Sequence, residues 1–253
     1  MKPHYQIPIQ ECGDPLVPIP LNHFSIVNPH PYAALGAPYG AHSPYFLRQT
    51  VLERLIQAQV YLQDIQPGWQ IQIFDAYRPL AVQQFMVDHT YDQLLRAQNL
   101  DPQTLSVPEQ QQLMAQVYQF WAPPSHAPAT PPPHSTGAAI DITLIDEQQQ
   151  PIPMGSEIDE LSERSYPNHF ASHTEPSGQR YHQHRTHLAD IMHRAGFCQH
   201  PNEWWHFSYG DQLWAWSLRQ RQLSQSEPGP VAHYGAVTEA VSPTESQQSL
   251  FQA

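Results

Sequence analysis

Hydrophobic positions recur every three or four residues between Ser43 and Gly68, which is the spacing of one helix face. These positions are Leu47, Val51, Leu55, Ala58 and Leu62. The proline after Ser43 suits a helix start, and Pro67 followed by Gly68 suits a stop. We therefore predict an amphipathic helix across this segment, with its apolar face in the core.

Two stretches instead alternate apolar and polar residues with a period of two, which is typical of strands. The first covers Gln70 to Ile73 and delivers the motif Asp75-Ala76-Tyr77-Arg78-Pro79 to its end. The second covers residues 138 to 144 and directs Asp141 away from the neighbouring isoleucines. A third, short strand is predicted near residues 203 to 208.

Further helices are predicted at residues 80 to 97, 108 to 121, 178 to 195 and 211 to 223, with Gly196 as the C-terminal cap of the third. Short strands appear between helices without a regular βαβ rhythm, so the pattern favours an α+β fold with a mainly antiparallel sheet over a doubly wound one. The domain is expected to span residues 1–221. Residues 222–253 are rich in Ser, Gln and Pro, and we expect them to form a disordered tail.

Charge and composition exclude several classes of partner. The formal net charge is −12, and the 11 basic residues are scattered, which argues against nucleic acid and against an anionic membrane surface. The chain has neither the apolar core of an export signal nor an apolar run of about 18 residues that could span a membrane. A cytoplasmic location is therefore expected. Cys12 and Cys198 lie far apart and indicate neither a disulfide framework nor a thiolate metal site.

Three segments carry residues that can bind a metal and hydrolyse a bond: 75–79, 134–141 and 203–206. A catalytic zinc site uses three protein ligands, drawn from imidazoles and carboxylates, and keeps a fourth position for water. His134, Asp141 and His206 form such a set. Gly137 lies between the first two ligands and would let the chain turn from a loop into a strand.

Glu203 lies three residues before His206 and is predicted to accept the proton of the attacking water and return it to the leaving amine. The two residues would face opposite sides of an ideal strand, so we predict either a bulge or a strand that begins only near His206. Arg78 is a candidate to stabilise negative charge on the carbonyl oxygen, or alternatively to bind a substrate carboxylate.

Taken in this order, the segments resemble those of the D-alanyl-D-alanine dipeptidases of the vancomycin-resistance type. These belong to a zinc DD-peptidase family that also contains DD-carboxypeptidases and is structurally related to the hedgehog signalling domain. The family pattern Ser-x-His-x-x-Gly-x-Ala-x-Asp matches residues 134–141 at every position from the histidine onward, and Glu-x-Trp-His matches residues 203–206. Pro132 replaces the serine of the pattern, which bears on substrate detail rather than on the metal ligands.

The resemblance implies a hedgehog/DD-peptidase-like fold and one catalytic Zn²⁺, with Arg78 stabilising the transition state. It also implies that the substrate is the dipeptide D-alanyl-D-alanine, cleaved to D-alanine in cell-wall metabolism. One alternative is a DD-carboxypeptidase or peptidoglycan endopeptidase of the same family. Another is a non-catalytic, zinc-stabilised binding domain, against which Glu203 counts because a structural metal site needs no general base.

Four further residues are candidates for the substrate pocket: Tyr77, Asp159, Trp204 and Trp205. Asp159 is a candidate either to bind a substrate ammonium group or to cap its own loop. The two tryptophans are expected to form walls rather than to contact the substrate directly.

Overall fold

The computed structural model describes residues 2–221 and 229–237, and within them the strands form a five-stranded and a two-stranded sheet. The strands are β1 (Leu16–Pro18), β2 (Ser25–Ile26), β3 (Phe46–Arg48), β4 (Gln70–Asp75), β5 (Ala139–Ile145), β6 (Cys198–Gln199) and β7 (His206–Ser208). The larger sheet has the order β2-β4-β5-β7-β6, in which β2 and β4 are parallel and the other neighbours are antiparallel. The prediction of an α+β fold with a mainly antiparallel sheet is confirmed.

Apart from the one-turn helix at Pro31–Ala34, which the sequence pattern does not predict, and the start of the helix predicted from Ser43, the helices of the described residues agree with the sequence periodicity to within a few positions. The helices are α1 (Pro31–Ala34), α2 (Gln49–Ile65), α3 (Leu80–Ala97), α4 (Val107–Phe120), α5 (Pro176–Arg194) and α6 (Gln212–Arg221). Short 3₁₀ helices cover Pro3–Gln6, Pro133–Thr136 and Glu163–Ser165. Gly196 follows α5 with a φ of 96°, the left-handed conformation of a glycine that ends a helix. No helix within these residues is both long enough and apolar enough to cross a membrane.

The helix predicted from Ser43 begins later than the sequence pattern indicates. Phe46–Arg48 is extended and pairs with β1, and α2 starts only at Gln49. The backbone N–H of Arg48 donates to the carbonyl of Gly137, and its side-chain Nε donates to Thr136. These long-range bonds hold the segment extended and so override its local helical spacing.

The core lies mainly between the larger sheet and helices α2 and α5. Leu55 from α2, Ile191 from α5, and Ile140 and Ile142 from β5 are fully buried there. Asp141 lies between those two isoleucines in a strand whose side chains alternate between faces. The Asp141 carboxylate therefore lies on the face of the sheet opposite this core. A second apolar cluster, from α1, α3 and α4, packs near that face.

Part of the expected tail is ordered against the domain. Within residues 229–237, Ala232 pairs with Ile9, Tyr234 is 3% exposed, and the N–H of Val237 donates to the carbonyl of Ser135. The expectation of disorder is wrong for residues 229–237, because a few apolar side chains in this mostly polar segment pack against the domain. The remainder of the segment, residues 222–228 and 238–253, lies outside the described residues.

Candidate active site

Three buried side chains converge at one point beside the larger sheet. Asp141 in β5 lies directly opposite His206 in β7, and His134 comes from the 3₁₀ helix that precedes β5. His134 Nε2 lies 3.1 Å from His206 Nδ1 and 3.2 Å from Asp141 Oδ2, and His206 Nδ1 lies 3.0 Å from Asp141 Oδ1. The ligand atoms that these residues offer lie within 4.8 Å of one another. The structure thus brings the three predicted metal ligands together.

Hydrogen bonds behind each imidazole orient it toward this point. His134 Nδ1 lies 2.7 Å from the carbonyl oxygen of Ala76, and His206 Nε2 lies 3.3 Å from the hydroxyl of Ser208. A proton on each of these outer nitrogens leaves the inner nitrogen with a free lone pair, which is the arrangement that metal-binding histidines adopt. Two such nitrogens and one carboxylate, all at most 5% exposed, fit the donor set of a catalytic zinc ion.

Gly137 makes the turn between the first ligand and β5. Its φ is 72°, in the left-handed region where glycine has no steric penalty. A Cβ at this position would lie 2.6 Å from Leu16 Cδ1. The residue therefore has both a conformational and a packing reason to be glycine, in agreement with its predicted role.

Glu203 lies at the same site, in the turn that leads into β7. The strand begins only at His206, so of the two predicted solutions to the parity problem the later strand start is correct. Glu203 Oε2 is 3.7 Å from His206 Nδ1, and Oε1 is 3.5 Å from His200 Nδ1. Burial, together with the negative charge of Asp141, raises the pKa of the Glu203 carboxyl well above its usual range, whereas Lys2 opposes this shift.

Arg78 follows β4 and is fixed by several partners. Its Nε donates to Asp75 Oδ2 over 2.9 Å, its Nη1 donates to Gln83 over 2.9 Å, and its Nη2 lies 2.7 Å from Asp75 and 3.3 Å from Asp141. The guanidinium carbon lies 4.9 and 5.0 Å from the ring centroids of Tyr32 and Trp121. The charge is therefore held rigidly beside the three ligands.

Asp75 is the anchor of this arginine. It is completely buried and also contacts His30 at 3.1 Å and the hydroxyl of Tyr39 at 3.0 Å. Burial alone would raise the pKa of Asp75, but Arg78 and His30 outweigh it and lower that pKa. The carboxylate stays ionised, as an anchor for a cation requires.

One cavity joins these groups. Of the predicted site residues, those that line it are Arg78, His134, Asp141, Asp159, Glu203, Trp205 and His206. Tyr77 and Trp204 are buried outside this lining: Tyr77 lies against the ring of His42, and Trp204 donates its indole N–H to Ser156. Each is nevertheless next in sequence to a lining residue, Arg78 or Trp205.

Asp159 faces the cavity rather than its own loop. It accepts a hydrogen bond of 2.8 Å from the hydroxyl of Tyr32, and its φ is 65°. Burial, followed by repulsion from Asp141, raises the pKa of the Asp159 carboxyl to about 7. Of its two predicted roles, this contact supports the one in the pocket.

Several lining residues carry no motif that sequence reasoning could find. Lys2 and His4 come from the start of the chain, Gln83 from α3, Trp121 from the end of α4, and His200 from the turn before Glu203. Burial lowers the pKa of Lys2, opposed by Glu203, and burial lowers the pKa of His4 to about 4. Gln83 and His200 lie within five residues of predicted groups, and that proximity is the available signal for them.

Comparison with known proteins agrees with this arrangement. Residues 26–226 match the model of the D-ala-D-ala dipeptidase family. The chain belongs to this family. It is thus an enzyme, a metal-dependent peptidase, and the predictions of its family and enzyme class are confirmed.

Two relatives of this chain are D-alanyl-D-alanine dipeptidases. A D-alanyl-D-alanine dipeptidase of Synechocystis sp. is 52% identical over 244 residues, which cover 94% of this chain and 97% of that protein. The D-alanyl-D-alanine dipeptidase of Escherichia coli is 43% identical over 74 residues, 29% of this chain and 36% of the relative. The solved structure of the LD-carboxypeptidase LdcB matches with 15% identity and a TM-score of 0.43, over 85% of this chain and 76% of that one.

Proposed function

We propose that this protein hydrolyses free D-alanyl-D-alanine to two molecules of D-alanine, using one Zn²⁺ held by His134, Asp141 and His206. The observation that carries the proposal is the convergence of these three buried ligands with Glu203 in one small cavity. The substrate is that named for the Synechocystis relative, which is 52% identical over nearly the full length of both chains. We further propose a cytoplasmic location and a role in cell-wall metabolism.

The metal, when bound, supplies an acidified water and polarises the scissile carbonyl. Glu203 accepts the proton that the water loses on attack and delivers it to the nitrogen of the leaving D-alanine. Its buried surroundings favour the protonated carboxyl, which strengthens Glu203 as the acceptor of the proton that the water loses. One water is consumed, and one C–N bond is replaced by a carboxylate and an amine.

Arg78 stabilises the carbonyl oxygen as negative charge develops on it. Its Nε and Nη2 are engaged by Asp75, Asp141 and Tyr32, and Gln83 takes one of the two Nη1 hydrogens. The remaining Nη1 hydrogen can donate to a single oxygen. A substrate carboxylate gripped by two parallel N–H groups would need a free edge of the guanidinium, so the oxyanion role fits better.

Asp159 is proposed to bind the ammonium group of the substrate. It lies in the same cavity as Arg78 and Glu203, and its pKa of about 7 would fall when a cation binds beside it. A free amino terminus is the feature that separates a dipeptide from an acylated wall peptide. Trp205 forms part of the wall around these groups.

The burial of the site, rather than the volume of its cavity, supports a small substrate over a wall polymer. The cavity volume is about 40 Å³, space for roughly three water molecules. Even a dipeptide needs the lining side chains to move apart, whereas a peptidoglycan endopeptidase needs an open groove. Glu203 and the three ligands are at most 6% exposed, which speaks against such a groove.

The test is a panel of substrates given to the purified protein, both zinc-loaded and after chelation. D-Ala-D-Ala is expected to be cleaved, whereas N-acetyl-D-Ala-D-Ala and L-Ala-L-Ala are expected to be cleaved at least tenfold more slowly. Chelation is expected to abolish turnover, and added Zn²⁺ to restore it with one ion per chain. Cleavage of the acetylated peptide without cleavage of the free dipeptide would replace this proposal by a DD-carboxypeptidase.

A further inference from the structure

The sequence contains a single lysine, Lys2, and the fold places it in the wall of the active-site cavity. The 3₁₀ helix Pro3–Gln6 follows it and packs against α6. Gln212 Nε2 donates to the carbonyl of Ile7 over 2.7 Å, which fixes the end of this segment. The position of Lys2 is thus set by contacts with the body of the domain.

Among the described residues, the ammonium of Lys2 uses only part of its capacity to donate hydrogen bonds. Its Nζ donates to the carbonyl of Trp121 over 3.3 Å, and an ammonium has three N–H groups. Glu203 is the charged neighbour that favours its protonated form. A partly buried ammonium that has one neutral acceptor among the described residues suits an anionic ligand.

His4 contributes an independent observation beside it. The side chain lines the same cavity and is 7% exposed, yet its Nε2 has no hydrogen-bond partner among the described residues. A buried polar nitrogen without a partner is energetically unfavourable. A ligand with an oxygen acceptor would remove that cost, because a neutral imidazole can donate through this nitrogen.

Several other groups of the cavity are poorly suited to bind a carboxylate. Glu203, Asp141 and Asp159 are themselves carboxyl groups, and Arg78 has one uncommitted hydrogen. Pro133, also in the lining, has no N–H to donate. A dipeptide still brings a carboxylate into this enclosed space, where an unpaired charge is strongly unfavourable.

We infer that Lys2, with His4 beside it, binds the terminal carboxylate of the substrate and so selects peptides that end in a free carboxyl group next to the scissile bond. The inference rests on the proposed function, because it takes the substrate to be a small peptide with a free carboxyl end. Lys2 then governs substrate binding, and Glu203 and Arg78 act at the carbonyl.

Lys2→Met tests this, because it removes the charge and keeps a long apolar side chain. Steady-state kinetics are measured on D-Ala-D-Ala and on its C-terminal amide, which has no negative charge. A hydrogen bond to a charged group contributes about 1.5–3 kcal/mol, which corresponds to about 10- to 150-fold. We expect kcat/KM for the dipeptide to fall by this factor, mainly through KM, and kcat/KM for the amide to change less than threefold.

Arg96→Met is the matched control, since it makes the same change of charge at an exposed position of α3. It is expected to leave both substrates unaffected, and thermal melting of both variants checks that the fold is intact. Equal losses on the dipeptide and the amide would overturn the inference and make Lys2 a partner of Glu203 instead. An unchanged KM for the dipeptide would also overturn it. Failure of the wild-type protein to cleave the dipeptide would instead reject the proposed function.

Discussion

Replacement of Asp75 by alanine is expected to cost both stability and activity, although Asp75 is neither a metal ligand nor part of the cavity lining. The carboxylate is 0% exposed and bonds Arg78, His30 and Tyr39. Removing it leaves Arg78 buried with Asp141 as its remaining ion-pair partner among the described residues, and it leaves two further polar groups without this acceptor. Breaking a buried ion pair from one side costs about 3–5 kcal/mol.

For a chain of this size, 1 kcal/mol moves the melting temperature by roughly 2–4 °C, so the melting temperature is expected to fall by about 6–20 °C. The assay is thermal and urea unfolding followed by circular dichroism, with kcat/KM measured well below the transition. Asp64→Ala removes an equal charge at an exposed position of α2 and is expected to change stability by less than about 0.5 kcal/mol. An Asp75→Ala variant that unfolds with the wild-type midpoint would refute the view that Asp75 anchors Arg78.

Three further outcomes follow from the site and its supports. Glu203→Gln is expected to lower kcat by about 10²- to 10⁴-fold while metal analysis still finds one zinc per chain; wild-type turnover would remove Glu203 from the mechanism. Gly137→Ala is expected to destabilise the fold by about 1–3 kcal/mol in urea unfolding, because its φ of 72° and the contact with Leu16 both oppose a Cβ. Arg78 and His30 outweigh burial and lower the pKa of Asp75. The ionised carboxylate therefore stabilises the fold at pH values above the pKa of an unfolded aspartate, about 3.9. This stabilisation is lost as the pH falls toward the pKa of Asp75 in the folded protein. The stability gap between the wild type and Asp75→Ala is therefore expected to shrink between pH 6 and pH 3, and a constant gap would contradict the assignment.

Local sequence patterns predict correctly those helices and strands whose conformation depends mainly on residues nearby in the sequence. The alternation before Asp75 predicts β4, and the spacing of apolar residues predicts α3 and α5 to within a few residues. The pattern fails at Phe46–Arg48, where pairing with β1 and bonds to residues 136 and 137 decide the conformation. No window of the sequence contains those partners.

The same distinction explains which parts of the site could be predicted. Residues 134, 141, 203 and 206 lie in compact motifs whose chemistry is legible from spacing, and the structure brings them together. Lys2 and His4 reach the cavity from the far end of the chain, and only the packing of their 3₁₀ helix on α6 brings them there. Tyr77 and Trp204 lie outside the lining although Arg78 and Trp205, their neighbours in sequence, belong to it, because the local fold and not the motif decides which side chain faces the cavity.

The position of Asp141 within β5 ties the geometry of the metal ligands to the stability of the sheet. Its strand is bonded to β4 on one side and β7 on the other, and the N–H of Ile142 is held by the carbonyl of Trp205. Amides in a central strand of this kind exchange with deuterium only when the whole domain opens. Asp141 and His206 keep their facing positions for as long as β5 and β7 stay paired, so loss of the ligand set through separation of these strands would follow the slowest-exchanging amides of the sheet.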